Sequence, residues 1–208
     1  MKSPQKETVD NEIKILEAAE KLFFSKGFAG TSTTMIAKEV GCNQALVHYY
    51  FRTKENLFQA IFEKKIKLFL STLLAVGNEE LSFEDKLRKK IETHFDMIAA
   101  NPQLPLFFFN ELNSNPDRIP GLKEAMGNLP LQAITQLEVE IQTEVKAGRI
   151  RKIPALDLLL TIVSLNMILF VAQPIIKIFT GATDKDFEEI VKKRREQNVS
   201  TILNSLRP

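Results

Sequence analysis

Residues 33–58, TTMIAKEVGCNQALVHYYFRTKENLF, decide how the rest of the chain is interpreted. The segment predicts two short helices joined by a tight turn at Gly41, followed by a third helix whose N-cap is Thr53. Gly41 follows the last apolar residue of the first helix, where a left-handed cap favours a residue without a Cβ. Asn43 is a favourable N-cap for the helix that restarts at once. Two helices joined by so short a turn indicate a helix-turn-helix.

The second of these helices has two chemically different sides. Val47, Tyr50 and Phe51 fall on one side at i, i+3 and i+4 and are predicted to pack inward. The opposite side has no carboxylate and offers amide, imidazole, phenol and methyl groups; its members are Gln44, Ala45, His48 and Tyr49. Phosphates lining a DNA groove repel carboxylates, and base edges are recognised by amides, aromatic rings and small apolar groups. The sequence therefore predicts that this side lies in the major groove of DNA.

Two further residues point to DNA. Gln44 is the predicted base contact, because an amide can pair bidentately with adenine. Lys54 lies in the first turn of the third helix, where a cation opposes the helix dipole, so its position indicates an anion nearby. Backbone N–H groups at the start of that helix favour the same anion, a DNA phosphate.

The longer segment ILEAAEKLFFSKGFAGTSTTMIAKEVGCNQALVHYYFRTKENLFQAIF, residues 15–62, resembles the DNA-binding domain of the TetR family of bacterial transcriptional regulators. The resemblance covers about the first sixty residues without a gap. Two positions depart from the family pattern: His48 replaces a tyrosine, and Ala45 replaces a common glycine or proline. The residues that match the pattern are Ala19, Phe23, Gly27, Thr33, Ile36, Ala37, Gly41, Tyr50, Phe51, Lys54 and Leu57.

The resemblance implies roles for the residues at matching positions. Thr33, Tyr49, Tyr50 and Lys54 are expected to bind phosphates, and Thr34 is expected to approach a base at the edge of the motif. His48 has three open roles: a contact to phosphate, a contact to a base, or packing against Thr33. Because Ala45 and His48 alter the surface that meets the bases, the operator sequence does not follow from the family.

Composition places the chain among globular proteins rather than strongly basic nucleic-acid binders. The 208 residues are 44% hydrophobic, and 28 Lys and Arg against 26 Asp and Glu leave a net charge of +2. Any contact with nucleic acid must therefore be local. The single cysteine, Cys42, excludes an intramolecular disulfide and fits a reducing cytoplasm, and the polar N-terminus does not have the apolar core of a signal peptide. We expect a cytoplasmic protein.

The rest of the chain predicts helices without a sheet. No segment alternates with period two over a sustained length. NSNPDRIPG, residues 113–121, is predicted to be a loop. The fold class is thus all-α, with a helix-turn-helix DNA-binding domain at residues 1–60 and a helical ligand-binding and dimerisation domain at 61–208. The predicted helices are Thr8–Lys26, Lys54–Leu74, Phe83–Ala100, Leu129–Ala147, Pro154–Phe179 with Pro174 kinking or ending it, and Asp184–Leu206.

The segment from Leu158 to Ile176 carries no charge over a length close to the roughly 20 residues that span a bilayer. Thr161, Ser164 and Asn166 within it argue against a membrane span and favour a helix buried in a bundle or a subunit interface. In the TetR family the last two helices of each subunit form the dimer interface. That resemblance implies an interface built from the helix after Pro154 and the last helix, which offers Phe187, Ile190, Val191, Ile202 and Leu203.

The C-terminal helices of the family enclose a small-molecule pocket, so the resemblance also implies an effector. Its expected lining here is apolar with a few amides, which suits an uncharged apolar or aromatic molecule. The alternative is that each phenylalanine belongs to the core. The proposed lining residues are Phe95, Phe107, Phe108, Phe109, Asn110, Asn166 and Gln173.

The sequence favours a regulator over an enzyme. Only two histidines are present, and the motifs that typify metal, phosphate or nucleophile sites are absent. His94, with Glu92 and Asp96 beside it, is interpreted as part of a charged helix face. We predict a homodimeric repressor that binds double-stranded operator DNA and is released by a small-molecule effector, without a cofactor, a metal or a membrane. The alternative is an all-α carrier of hydrophobic ligands that does not bind DNA.

Overall fold

The computed structural model describes residues 4–75 and 80–208, with side chains described for 10–68, 80–117, 119–121, 123, 124 and 126–208. Regular secondary structure in these residues is entirely helical, which confirms the all-α prediction. A 3-10 turn at Pro116–Arg118 accompanies the helices. The helices are α1 Pro4–Lys26, α2 Thr33–Val40, α3 Gln44–Phe51, α4 Lys54–Ala75, α5 Phe83–Ala100, α6 Leu104–Ser114, α7 Ile119–Met126, α8 Leu129–Lys146, α9 Ala155–Val171, α10 Gln173–Thr180 and α11 Asp184–Ser205.

The described residues form two compact units. The N-terminal unit consists of Met1–Ile66 and Phe109–Leu122, and the C-terminal unit consists of Lys67–Phe108 and Lys123–Pro208. Helix α4 continues along the chain from one unit into the other. The predicted domain boundary after residue 60 stays a prediction.

The helix-turn-helix forms as its capping residues predict. The Asn43 side chain accepts a hydrogen bond from the Leu46 N–H at 2.8 Å, and the Thr53 hydroxyl accepts one from the Asn56 N–H at 3.1 Å. Gly41 adopts φ 78° and ψ 29°, the left-handed conformation expected of a helix C-cap. These contacts confirm the turn and both N-caps.

Helix α1 supplies the support for the two short helices through one apolar side. The helical spacing of Ile13, Ala19 and Phe23 predicts that all three support the short helices; Ala19 and Phe23 are fully buried, but Ile13 is 48% exposed and Ile15 is buried instead. The prediction for Ile13 was wrong because two apolar stripes at helical spacing overlap in this helix and only packing selects between them. The helix also begins at Pro4, earlier than the predicted Thr8.

The C-terminal unit packs α5, α8, α9 and α11 around two groups of buried residues. Three apolar residues of α5, Ile91, Phe95 and Ile98, are all buried. Ile91 belongs to the larger group, and Phe95 and Ile98 belong to the smaller one. The larger group consists of Leu87, Ile91, Leu137, Ile141, Ile153, Ala155, Leu158, Ile162, Val199, Ile202 and Leu206, and the smaller of Phe95, Ile98, Leu169, Phe170 and Phe187.

The uncharged segment around α9 is broken rather than straight. Helix α9 ends at Val171 and α10 starts at Gln173, with an angle of 62° between them. Pro174 lies in the first turn of α10, so the predicted interruption of the helix at this proline, by a kink or an end, is confirmed. Among the described residues no single helix is both long and apolar enough for a membrane span, and α9 with α10 meets those criteria only as this bent pair.

The predicted loop at residues 113–121 was wrong, because α6 extends to Ser114, a 3-10 turn spans Pro116–Arg118 and only Asn115 lies outside helical structure. Helix α7 begins at Ile119 and includes Pro120 and Gly121. Pro105 likewise lies in the first turn of α6. A proline in the first turn of a helix removes only an N–H that has no partner within the helix, so both prolines start helices instead of interrupting them.

Candidate nucleic-acid interface

Helix α3 presents the predicted face to solvent. Gln44, Ala45, His48 and Tyr49 are exposed, Tyr49 by 72% of its surface, and together they form what we call the reading face. On the other side of the helix Val47 and Phe51 are buried. Tyr50 is half-buried, with its ring 5.2 Å from that of Tyr49. The predicted two-sided character of this helix is therefore confirmed.

A chain of side-chain hydrogen bonds connects the reading face to the start of α2. The Gln44 amide nitrogen donates to the Thr33 hydroxyl at 2.9 Å and lies 3.2 Å from His48 Nε2. The Thr34 hydroxyl donates to the Gln44 amide oxygen at 3.2 Å. The structure thus brings together, as one polar group, Thr33, Thr34, Gln44 and His48. The sequence led us to expect such proximity only between His48 and Thr33.

The backbone at Arg52 determines the tautomer of His48. His48 Nδ1 lies 2.9 Å from the Arg52 carbonyl oxygen, which can only accept a hydrogen bond. Nδ1 therefore carries the proton, and in the neutral ring Nε2 is an acceptor for the Gln44 N–H. Arg52 itself has φ 65°, the only positive φ of a non-glycine residue in the described chain.

Lys54 makes internal contacts that the sequence did not predict. Its ammonium donates to the carbonyl oxygens of Phe28 and Thr31 at 3.0 and 3.1 Å and lies 4.0 Å from the centre of the Phe28 ring. The position of Lys54 in the first turn of α4 predicted an anionic partner. Here neutral carbonyl oxygens and an aromatic face take the place of that anion. A phosphate contact from Lys54 stays a prediction, and the structure gives the residue a role inside the domain.

Two exposed cations of the helix-turn-helix were not among the site residues predicted from the sequence. The side chains of Lys38 and Arg52 are exposed and form no ion pair or side-chain hydrogen bond with other described residues. Listing the basic residues inside the motif would have found them. In contrast, Lys21 pairs with Glu39 of α2 at 2.6 Å, and this hydrogen bond lowers the pKa of the Glu39 carboxyl. The charge of the Glu39 carboxylate on α2 is thus balanced by Lys21 within the protein.

The seven residues proposed for an effector pocket do not share one environment. Phe95 and Phe107 are buried, Phe108 and Gln173 are half-buried, and Phe109 and Asn110 are exposed. Phe109 and Asn110 belong to the N-terminal unit and the others to the C-terminal unit. One cavity of about 320 Å³ lies beside α5 and α11, and another of about 580 Å³ lies along α8; none of the seven lines either. The pocket stays a prediction.

Asn166, one of the seven, lies in a buried polar cluster. Its amide nitrogen donates to the Ile91 carbonyl at 2.9 Å and to His94 Nδ1 at 3.0 Å, and its oxygen accepts from the Asn198 amide at 2.9 Å. The cluster joins α5, α9 and α11. His94 is 1% exposed, so its assignment to a charged helix face was wrong. Burial lowers the pKa of His94 to about 4. Glu92 and Asp96 instead pair with Arg195 on α11.

The chain has relatives among bacterial regulators. Residues 15–61 match the family described as bacterial regulatory proteins, tetR family. The fatty acid metabolism regulator protein of Bacillus subtilis is 24% identical over 103 residues, 50% of this chain and 53% of that one. The HTH-type transcriptional regulator RutR of Escherichia coli K12 is 27% identical over 195 residues, 93% of this chain and 89% of that one.

Solved structures share the fold. A bacterial regulatory protein of the tetR family from Rhodococcus RHA1 superposes with a TM-score of 0.68 at 19% identity, over 92% of this chain and 96% of that one. The chain spans only about half the length of the Bacillus subtilis relatives that it matches.

A capped helix-turn-helix with an exposed face free of carboxylates is typical of DNA-binding proteins of the helix-turn-helix class. Residues 15–61 match the tetR family of bacterial regulatory proteins, and over most of its length the chain is similar to a transcriptional regulator. The relatives are named as regulators and not as enzymes, in agreement with the prediction of a non-enzymatic protein.

Proposed function

We propose that this protein regulates transcription by binding double-stranded operator DNA with the reading face in the major groove. The observation that carries the proposal is the reading face itself: amide, imidazole and phenol groups stand exposed on a helix whose other side is buried. Base edges in the major groove are recognised by such groups on a helix of this kind. Capping at Gly41 and Asn43 holds the helix in place.

The proposed contacts divide into two kinds. Gln44 contacts a base, with Ala45 and His48 beside it and Thr34 at the edge of the motif. Thr33, Tyr49 and Tyr50 contact phosphates, and Arg52 is added to them because its guanidinium is exposed next to α3. Lys54 is retained as a weaker candidate, since two carbonyl oxygens already hold its ammonium.

The test is selection of bound sites from a pool of random DNA duplexes. A dimeric helix-turn-helix protein should recover two half-sites about one helical turn, ~34 Å, apart. Gln44→Ala should relax the preference at one base pair in each half-site. A protein that enriches no sequence and gives no gel shift at low salt contradicts the proposal and favours the hydrophobic-ligand carrier.

The proposed homodimer would use an exposed apolar stripe on α9. Leu156, Leu160 and Ile168 are 52%, 55% and 52% exposed, at spacings of four and eight residues that place them on one side of the helix. Ile178 and Phe179 extend the exposed apolar surface onto α10. Exposed apolar residues repeated along one side of a helix mark an interaction site, and a second copy covers them without exposing new apolar surface.

Helix α11 contributes differently from the expectation. Phe187 and Ile202 are buried within their own subunit, and Leu203 packs against the larger core group. Ile190 and Val191 pack against the smaller core group. Phe187 and Ile202 therefore stabilise the subunit, whereas Ile190, Val191 and Leu203 are only partly buried and stay candidates for the interface. In the proposed dimer α9 supplies the exposed apolar contacts.

We further propose that a small apolar or aromatic effector lowers operator affinity, so that the protein acts as a repressor. A ligand can do so only by binding two arrangements of the protein unequally. Because α4 carries the chain from the N-terminal into the C-terminal unit, it is the proposed carrier of the change. A coupling of about 1–3 kcal/mol would weaken DNA binding several-fold to about a hundredfold. The name of the Bacillus subtilis relative, which refers to fatty acid metabolism, agrees with an apolar effector.

The effector proposal is tested by measuring operator affinity across a panel of fatty acids and aromatic compounds. A release of DNA by at least one class is expected. If operator affinity stays the same across the panel while DNA still binds tightly, the effector proposal is contradicted. The DNA-binding proposal is not affected by that result. A cytoplasmic location belongs to the same proposal.

A further inference from the structure

The amide of Gln44 has few bonding positions left for a base. An amide nitrogen carries two hydrogens, and here one points to the Thr33 hydroxyl and the other to His48 Nε2. The amide oxygen has two lone pairs, and the Thr34 hydroxyl uses one of them. What Gln44 presents to solvent is therefore one free lone pair on its oxygen.

The orientation of this amide is fixed by a residue outside α3. If the amide were turned by 180°, its oxygen would face His48 Nε2 and would need a proton there. The Arg52 carbonyl already requires the proton of the neutral ring on Nδ1. The carbonyl of Arg52 thus sets the tautomer of His48, and the tautomer sets which atom of Gln44 remains available.

This arrangement disagrees with the bidentate adenine contact expected of a glutamine. That contact needs an N–H donor for adenine N7 and an oxygen acceptor for the N6 amino group. Both N–H groups of Gln44 are occupied, so a bidentate contact requires breaking a hydrogen bond within the protein. A contact through the free lone pair requires only an exocyclic amino group, which adenine and cytosine both present in the major groove.

We propose that His48 is a positioning residue that restricts Gln44 to reading an exocyclic amino group through its oxygen, so that adenine and cytosine are both accepted at that base. The inference rests on the proposed DNA-binding function and adds a rule of recognition to it. His48 acts through Gln44 and need not touch DNA itself.

Two substitutions of His48 separate its two hydrogen bonds. In His48→Asn the amide nitrogen takes the place of Nδ1 and can still donate to the Arg52 carbonyl, but the acceptor for Gln44 is lost. In His48→Gln the amide oxygen takes the place of Nε2 and can still accept from Gln44, but the donor to Arg52 is lost. A purely structural role at the turn predicts a larger effect from His48→Gln, and positioning of Gln44 predicts a larger effect from His48→Asn.

Thr33 and Thr34 offer a second matched pair. Thr33→Val removes the acceptor of one Gln44 N–H and frees that donor. Thr34→Val leaves both N–H groups bonded and frees only another lone pair on the oxygen. Both changes preserve side-chain shape and remove one hydroxyl, so a difference between them reports on the amide hydrogens.

The measurement is the ratio of adenine to cytosine at the position that Gln44 reads, from site selection and from competition binding with matched duplexes. Overall affinity is expected to change in all four variants, so the ratio is the readout. We expect a ratio within about twofold of one for the wild type, His48→Gln and Thr34→Val. We expect the ratio to rise about fivefold or more in His48→Asn and Thr33→Val, because a bidentate pair then becomes available.

Three results would overturn the inference: strong adenine preference in the wild type, an unchanged ratio in both His48→Asn and Thr33→Val, or an equal rise in His48→Gln. Imidazole ¹⁵N spectra of the DNA-free protein separate this inference from the proposed function. A ring protonated on Nε2 alone overturns the inference whatever the protein binds. A ring protonated on Nδ1 in a protein that selects no duplex supports the hydrogen-bond chain and overturns DNA binding.

Discussion

Gly30, in the connection before α2, has no room for a side chain. A Cβ built there would lie 2.4 Å from the backbone oxygen of Lys26, closer than any real contact. Gly30→Ala must therefore displace backbone, and we expect the free energy of unfolding to fall by about 1–3 kcal/mol. Denaturant titration measures the loss. Gly121→Ala is the matched control, because its Cβ would meet only the end of the flexible Gln59 side chain at 3.3 Å. Equal losses in both variants would contradict the steric argument.

Lys54 and Arg52 are two cations with opposite expected effects. Lys54→Met leaves two carbonyl oxygens without their donor, so we expect it to lower the free energy of unfolding by about 1–3 kcal/mol. Arg52→Gln removes an exposed guanidinium without a partner among the described residues, and little change in stability is expected.

The same two variants differ in DNA binding. Each phosphate contact contributes about one unit to the slope of log K against log salt, so Arg52→Gln should reduce that slope by about 1 per subunit, about 2 for the proposed dimer, on every sequence. Gel shifts over a series of salt concentrations give the slope. If Lys54→Met instead reduced the slope without loss of stability, the ammonium would be a phosphate contact and the internal role would be refuted.

Helices α5, α9 and α11 are joined by the His94, Asn166 and Asn198 cluster, which makes the C-terminal unit sensitive to acid. Burial lowers the pKa of His94 from 6.5 to about 4, so between these values the unfolded chain binds the proton more readily than the folded one. The stabilisation is therefore complete above about pH 6.5 and is lost as the pH falls toward 4. The loss at the acid end is up to about 3 kcal/mol.

His94→Asn is the control for this pH dependence. The asparagine oxygen can replace Nδ1 as the acceptor for Asn166 but does not titrate. Urea unfolding of both proteins at a series of pH values gives the difference profile, in which the slope between pH 6.5 and 4 should be present only for the wild type. Parallel profiles would show that His94 does not carry the effect.

The bounds and the composition of a helix do not always follow from its own sequence. The bounds of α5 and the start of α11 follow from N-caps and apolar spacing, and both agree with the prediction. From Leu158 onward α9 carries no charge, and both of its sides are apolar: Leu158 and Ile162 face the core, while Leu160 and Ile168 face outward. Packing against the core on one side and against a second copy in the proposed dimer on the other accounts for such a helix as well as a membrane does.

At the level of the whole molecule, the exposed apolar stripe of α9 allows the proposed dimer to be tested. Leu160→Lys with Ile168→Lys should weaken the proposed dimer by about tenfold or more, because central apolar residues carry most of the energy of an interface. Sedimentation velocity over a concentration series measures the dissociation constant. Ile13→Lys is a control of similar exposure in the N-terminal unit. A monomeric wild type, or an equal effect of the control, would contradict the assigned surface.

The sequence by itself determined the all-α class, the helix-turn-helix and the division of α3 into buried and exposed sides. These features depend on helix caps and residue spacings within about four positions along the chain, and such short-range relations can be identified in the amino-acid sequence. The exposure of Gln44 and the capping by Asn43 were predictable for this reason.

Only the tertiary structure decided which polar groups meet. Lys54 bonds to carbonyls 23 and 26 residues away, and Asn166 bonds to residues 72 and 75 positions earlier. The direction of the Gln44 amide depends on hydroxyls from another helix and on the carbonyl after α3. Such partners are selected by how helices pack in space, and helix packing has no short-range signature along the chain.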